Sequence, residues 1–331
     1  MKVIKFFAIT AMAAAMITSC SSEDELSQSN YPSDNIIRVT AGVNNAKTRA
    51  EGAGTEMKND FSLTIVNKNA PKYTYTDKVF SKSSGDWACS ETLLWQKSDA
   101  LVDIVAFAPA QTGKFNGVYA NGSIQPIAYS VASDQSSDQS TSSDNNDLLY
   151  YYAKDFNPGE SLDKGKLNIQ FNHAFCMIDI NVTLGTEFNK PEVLKESPIV
   201  KVTLGGTKIA ANVNVTNAAS VVTISETDAA TDITTTKGSF DKAADPEANA
   251  KSHFSCIAIP QTVGANTFKV SLMTADKLYE WTSDKEITLQ SGYRYTLELS
   301  MGNDVVLLKG GSISASPWTE GDTGDKPLET D

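Results

Sequence analysis

Residues 166–184 read KLNIQFNHAFCMIDINVTL, and the fold class turns on them. Leu167, Ile169 and Phe171 fall on odd positions, whereas Cys176, Ile178, Ile180, Val182 and Leu184 fall on even ones. A period of two lines one face of a β-strand with apolar side chains. Shifting the phase by one residue reverses the buried face, so the spacing predicts a bulge or corner near His173. Working outward, Ile37, Val39, Ala41 and Val43 alternate within IIRVTAGV, and Phe61, Leu63 and Ile65 repeat the pattern. Further β-rich runs cover 73–80, 92–95, 101–107, 124–131, 200–204, 208–215, 221–224, 254–259, 268–273 and 293–301. No stretch of the first half keeps apolar residues at helical spacing. Many short strands separated by turns, such as those at Gly205-Gly206 and 264–266, predict an all-β chain of β-sandwiches.

A length of 331 residues suggests two domains, and 40% hydrophobic content suffices for two cores. The Pro and Gly residues of NPGESLDKGK, 157–166, mark a linker or tight turn, after which the second half begins. The expected division is a tether at 20–34, an N-terminal sandwich at 35–160 and a C-terminal sandwich at 161–331. Two polar stretches are expected on the surface. One is NNAKTRAEGAGTEMKND, 44–60, and the other SDQSSDQSTSSDNND, 133–147. The second is rich in oxygen ligands but lacks the glycine and closing glutamate of a calcium-binding EF-hand loop.

The net charge is -12, and no basic cluster interrupts it, which argues against a nucleic-acid partner. Beyond Cys20 the cysteines are Cys89, Cys176 and Cys256, without the close spacing of a metal site. Cys176 and Cys256 are read as buried thiols in strands, with a disulfide between them as the alternative. Only two histidines exist, His173 and His253, both in strand patterns, where hydrogen-bonded structural roles are the rule. No nucleophile elbow, phosphate loop or dinucleotide-binding glycine pattern occurs, so neither an enzyme nor a cofactor is implied. Trp87, Trp95, Trp281 and Trp318 stand near strand residues, as core aromatics do, or as stacking platforms for a glycan.

The N-terminus carries Lys2 and Lys5 and then an apolar run from Phe6 to Met16. That run is too short for the roughly 20 residues of a membrane span and reads as an export signal, 1–19. Its end, Ile17-Thr18-Ser19-Cys20, resembles the lipobox of bacterial lipoproteins, in which the cysteine is alkylated with diacylglycerol and becomes the mature N-terminus. Loss of Lys2 and Lys5 takes the charge from -12 to -14. The acids Glu23, Asp24 and Glu25 resemble a Bacteroidota surface-export tag, and they equally suit a solvated tether.

In order along the chain stand the lipobox, TRA (48–50), LLWQ (93–96), VDIVAFAPA (102–110), DQSTSSDNNDLLYYYA (138–153), IQFNHAFCMIDINV (169–182), AIPQT (258–262), SGYRYTLEL (291–299) and ISASPW (313–318). Together they resemble the fimbrillin family of Bacteroidales pilins, specifically its Mfa-like lipoproteins. The resemblance implies two transthyretin-like β-sandwiches in tandem and assembly with other pilin subunits by strand exchange. It implies lipid anchoring at Cys20 to the outer membrane, surface exposure, and later residence in a fimbrium. It also implies cleavage by an Arg-specific protease between Arg49 and Ala50, which frees the first strand with Ile37, Val39, Ala41 and Val43. A host or glycan ligand is the remaining partner class, and a standalone ligand-binding lipoprotein is the alternative reading. The tail TEGDTGDKPLETD, 319–331, is too polar to donate a strand, so any donor segment lies within 304–318, around Ile313 and Ala315. Stalk, tip and anchor roles stay open.

Overall fold

The computed structural model describes residues 30–44, 55–57, 59–111, 113–137, 147–189, 192–225, 227–309 and 313–318. The chain begins with strands β1 (Arg38–Val43), β2 (Thr55–Glu56), β3 (Phe61–Val66), β4 (Tyr75–Ser83), β5 (Asp86–Cys89) and β6 (Val102–Ala108). A small hairpin of β7 (Tyr119–Ala120) and β8 (Ser123–Ile124) leads to β9 (Ile127–Ser130) and β10 (Leu149–Phe156). One helical turn, α1 (Pro158–Ser161), precedes β11 (Lys166–His173). After it come β12 (Cys176–Leu184), β13 (Ile199–Gly205), β14 (Ala210–Val213), β15 (Val222–Ile224), β16 (Ile233–Thr234), β17 (Thr236–Asp241) and β18 (Ala250–Ala258). The last are β19 (Thr262–Val263), β20 (Lys269–Thr274), β21 (Leu278–Thr282), β22 (Ile287–Thr288), β23 (Tyr293–Met301), β24 (Val306–Leu308) and β25 (Ser314–Pro317).

The expected all-β character holds. An eight-stranded sheet in the order β2-β1-β11-β10-β6-β3-β4-β5 encloses the first core, which includes Phe61, Leu63, Ile104, Leu167, Ile169 and Phe171. That sheet curls, because β5 packs on β1 and Ile36 bridges Leu94 just beyond β5. The second core draws side chains from the six-stranded sheet β17-β18-β12-β23-β24, with β25 also on β23, and from the four-stranded sheet β16-β13-β20-β21. β6 serves both cores. Ile104 and Ala106 face the first and Val105 and Phe107 the second, which is why every residue of VDIVAFA is buried and all but Asp103 are apolar.

One expectation is extended and two need correction. The phase change of 166–184 does mark a corner, at Ala174 and Phe175 between β11 and β12, but it is also where the chain passes from one core to the other. The boundary expected near 160 therefore puts β11 on the wrong side, since its buried side chains and its pairings belong to the first core and first sheet. Residues 157–166 form a tied turn: the Asn157 side chain caps α1, and the Gly159 amide donates to the Ser98 carbonyl at 2.7 Å. Finally, both polar stretches have buried ends. Met57 lies in the first core, and Gln135 is 1% exposed. The Gln135 amide imitates a peptide group, accepting from the Ile257 N–H at 2.8 Å and donating to its carbonyl at 2.9 Å. Residues 138–146 lie outside the described residues.

Candidate functional site

The first strand occupies a slot built by sequence-distant partners. From Arg38 to Val43, β1 runs parallel to β11, in register from Arg38 with Lys166 to Val43 with Phe171. Its ends are fixed by backbone bonds, with Ile37 donating to Leu93 at 2.9 Å and Asn44 to Phe171 at 2.7 Å. Side chains reinforce the ladder: Asn44 Nδ2 donates to Asn172 Oδ1 at 2.8 Å. Asp34 pairs with Arg38 at 2.6 Å, and that guanidinium holds the exposed carboxyl at about 2. Ile37, Val39 and Val43 are buried in the first core and Ala41 packs at its margin, as the alternation predicts. Burying three aliphatic side chains stabilises by on the order of 5–9 kcal/mol, an upper bound from area bookkeeping.

β11 depends on this strand in return. On its other side it meets β10 only through His173 with Leu149 and Asn172 with Tyr150. Without β1, most of the backbone donors and acceptors of β11 facing it would lose their partners, and Leu167, Ile169 and Phe171 would lose cover. Beyond Val43 the chain returns as β2, whose Thr55 pairs with Val43. Arg49 stands midway in sequence between those two residues. Arg49, Ala50 and Cys20 lie outside the described residues.

The candidate donor segment is paired within its own chain. β24 joins Leu299 to Met301, and β25 joins Tyr293 to Thr296, so the two form one interrupted edge strand on β23. Ile313 is half-buried against the second core, whereas Ala315 is exposed. Trp318 anchors the end. It is buried, its amide donates to the Gly292 carbonyl at 2.7 Å, and its ring stacks on His173 with centroids 3.8 Å apart. His173 Nδ1 bonds Asp147 Oδ2 at 2.8 Å, a buried pair that sequence reading did not find because its members come from separate strands and loops.

The other candidates are structural in setting. His253 lies on β18 between Asn181 Oδ1 and Asp241 Oδ2, at 2.8 and 2.9 Å. Cys176 and Cys256 are buried free thiols, and burial pushes both well up from the ordinary thiol range. Cys89 is a half-buried free thiol. Trp95 is buried and stacks on Phe156, while Trp87 meets the edge of Phe61. Among the described residues no group of three His, Cys, Asp or Glu side chains is arranged to hold a metal ion, and no helix is long and apolar enough to cross a membrane.

Comparison with known proteins bears on this arrangement. A family model described as fimbrillin-like matches residues 48–318. Among solved structures, a candidate cell adhesion protein from Bacteroides ovatus is similar with a TM-score of 0.58 and 17% identity, covering 86% of this chain and 97% of its own. A fimbrial protein from Bacteroides vulgatus is similar with a TM-score of 0.54 and 16% identity, covering 86% and 99%. A candidate cell adhesion protein from Bacteroides uniformis gives 0.54 and 14% identity over 87% and 100%. No curated protein matches the sequence.

Proposed function

The chain belongs to the fimbrillin-like family, and from that premise we propose that it is a non-enzymatic structural or adhesive subunit of a cell-surface fimbrium. It is exported as a lipoprotein, anchored to the outer membrane through Cys20, cleaved between Arg49 and Ala50 by an Arg-specific protease, and joined to other pilin subunits by strand exchange. The two cores are read as two transthyretin-like sandwiches. One observation carries the proposal: β1 fills a slot whose other wall, β11, has little else to pair with.

The energetics favour replacement over an empty slot. Departure of β1 alone forfeits its buried aliphatic surface and its ladder, but an incoming strand restores both as the old one leaves. Cleavage after Arg49 removes the covalent link that keeps β1 next to β2. The C-terminal edge strand, seated on β23 and pinned by Trp318, supports a subunit that accepts a strand without giving one, the position of a fibre end.

The test is Arg49→Ala in the producing cell, with surface material run unboiled on a detergent gel. The variant should remain a lipidated monomer. A high-molecular-weight ladder equal to wild type would refute strand release after Arg49.

A further inference from the structure

A cleft of about 270 Å³ opens between the edges of the two sheets that hold the second core. Its apolar side is made by Trp281 of β21, Ile287 of β22, Leu308 at the end of β24 and Ile313 just before β25. The rest of its lining includes the loop bearing Asp284, Lys285 and Glu286, all exposed. Neither the β1 slot nor the His173 cluster contributes to it.

We propose that this cleft is a saccharide-binding site for a neutral or amino hexose at the end of a glycan. A pyranose matches such a mixed lining, with a C–H face that packs on aromatic and aliphatic surface and an edge of hydroxyls that needs acceptors and donors. Half-buried Trp281 supplies the first, its indole braced edge-on by Phe268 at 6.4 Å. The carboxylates of Asp284 and Glu286 supply acceptors, and neither makes an ion pair with another described residue. Lys285 supplies a donor. The loop is held before any ligand arrives: Ser283 Oγ accepts from the Lys285 N–H at 3.2 Å, and the Ser283 N–H donates to the Phe268 carbonyl at 2.9 Å. Such preorganisation lowers the ordering cost of binding.

Charge selects within the class. Two carboxylates against one ammonium leave the wall net negative, so sialic and uronic acids are disfavoured and an amino sugar is tolerated. The volume admits one ring. This site works in an isolated chain and does not rest on strand exchange.

The experiment uses the full chain on immobilised mono- and disaccharides, with free hexose as competitor. Wild type should bind at least one neutral or amino hexose, and Trp281→Ala should weaken that binding at least tenfold at an unchanged melting temperature. Asp284→Asn with Glu286→Gln should weaken it too and reduce the discrimination against acidic sugars. Binding to none of the sugars, a preference for acidic ones, or undiminished binding by both variants would overturn the proposal. If Trp281→Ala proves unstable, the carboxylate variant alone decides. None of these outcomes alters the result of the Arg49→Ala gel, so the two readings fail separately.

Discussion

Shortening Ile37 to alanine tests whether the slot holds β1 by burial. Ile37 is 6% exposed, sits in the first core and starts the segment whose backbone is tied to Leu93. Removing three carbons there forfeits their transfer free energy and leaves a partly collapsed cavity, which costs about 3 kcal/mol, within the range for buried Ile→Ala. At about 1.4 kcal/mol per decade, the strand should be retained on the order of 100-fold less tightly. The assay replaces 45–50 by the recognition sequence of a site-specific protease, cuts the purified chain, and follows loss of the strand fragment against a synthetic peptide of residues 35–44. Urea unfolding of the uncut protein provides the matching equilibrium figure. If Ile37→Ala changes stability by less than about 0.5 kcal/mol and leaves the fragment bound as in the parent, burial is not what retains β1.

Two further predictions concern buried groups. His173→Gln should cost about 2 kcal/mol, because it removes the Trp318 stack and one hydrogen-bond partner of the buried Asp147 carboxylate, whereas His253→Gln, whose charged partner Asp241 is exposed, should stay within about 0.5 kcal/mol; urea midpoints read both, and equal losses would contradict the assignment. Burial raises the folded-state values of Cys176 and Cys256, so their contribution is complete below the unfolded thiol value and is lost as pH rises. Above about pH 8.5 the unfolded chain ionises while the native thiols stay neutral, and stability should fall by up to about 1.4 kcal/mol per pH unit for each thiol. Denaturation between pH 7 and 10 should show this slope in wild type and a shallower one in Cys176→Ala/Cys256→Ala; identical slopes would refute it.

Alternation made most of the second core legible, because β12, β18 and β23 each bury every second residue. β5 and β17 were missed for the converse reason: no clean alternation of large apolar residues identifies them in DWAC or TKGSFD. The crossing at 174–175 was visible as a change of phase, but a pattern of faces does not say that two different cores are being filled, and Pro158 and Gly159 drew the boundary to an ordered turn instead. Gln135 was beyond reach of hydropathy, since its burial depends on a peptide-like match to one backbone position. The slot was half legible. Ile37, Val39 and Val43 announced a strand with one buried face, but its parallel pairing with β11 is a long-range choice that local sequence does not encode.

The central claim is that β1 leaves the chain that made it. Intact-mass analysis of the subunit recovered from purified surface fibres, beside the same protein from cells lacking the maturation protease, tests it most directly. Fibre-borne protein should begin at Ala50 and lack residues 20–49, and the protease-deficient form should begin at lipidated Cys20 and stay out of fibres. Fibre-borne subunits that still carry 20–49 in one unbroken chain would contradict the account.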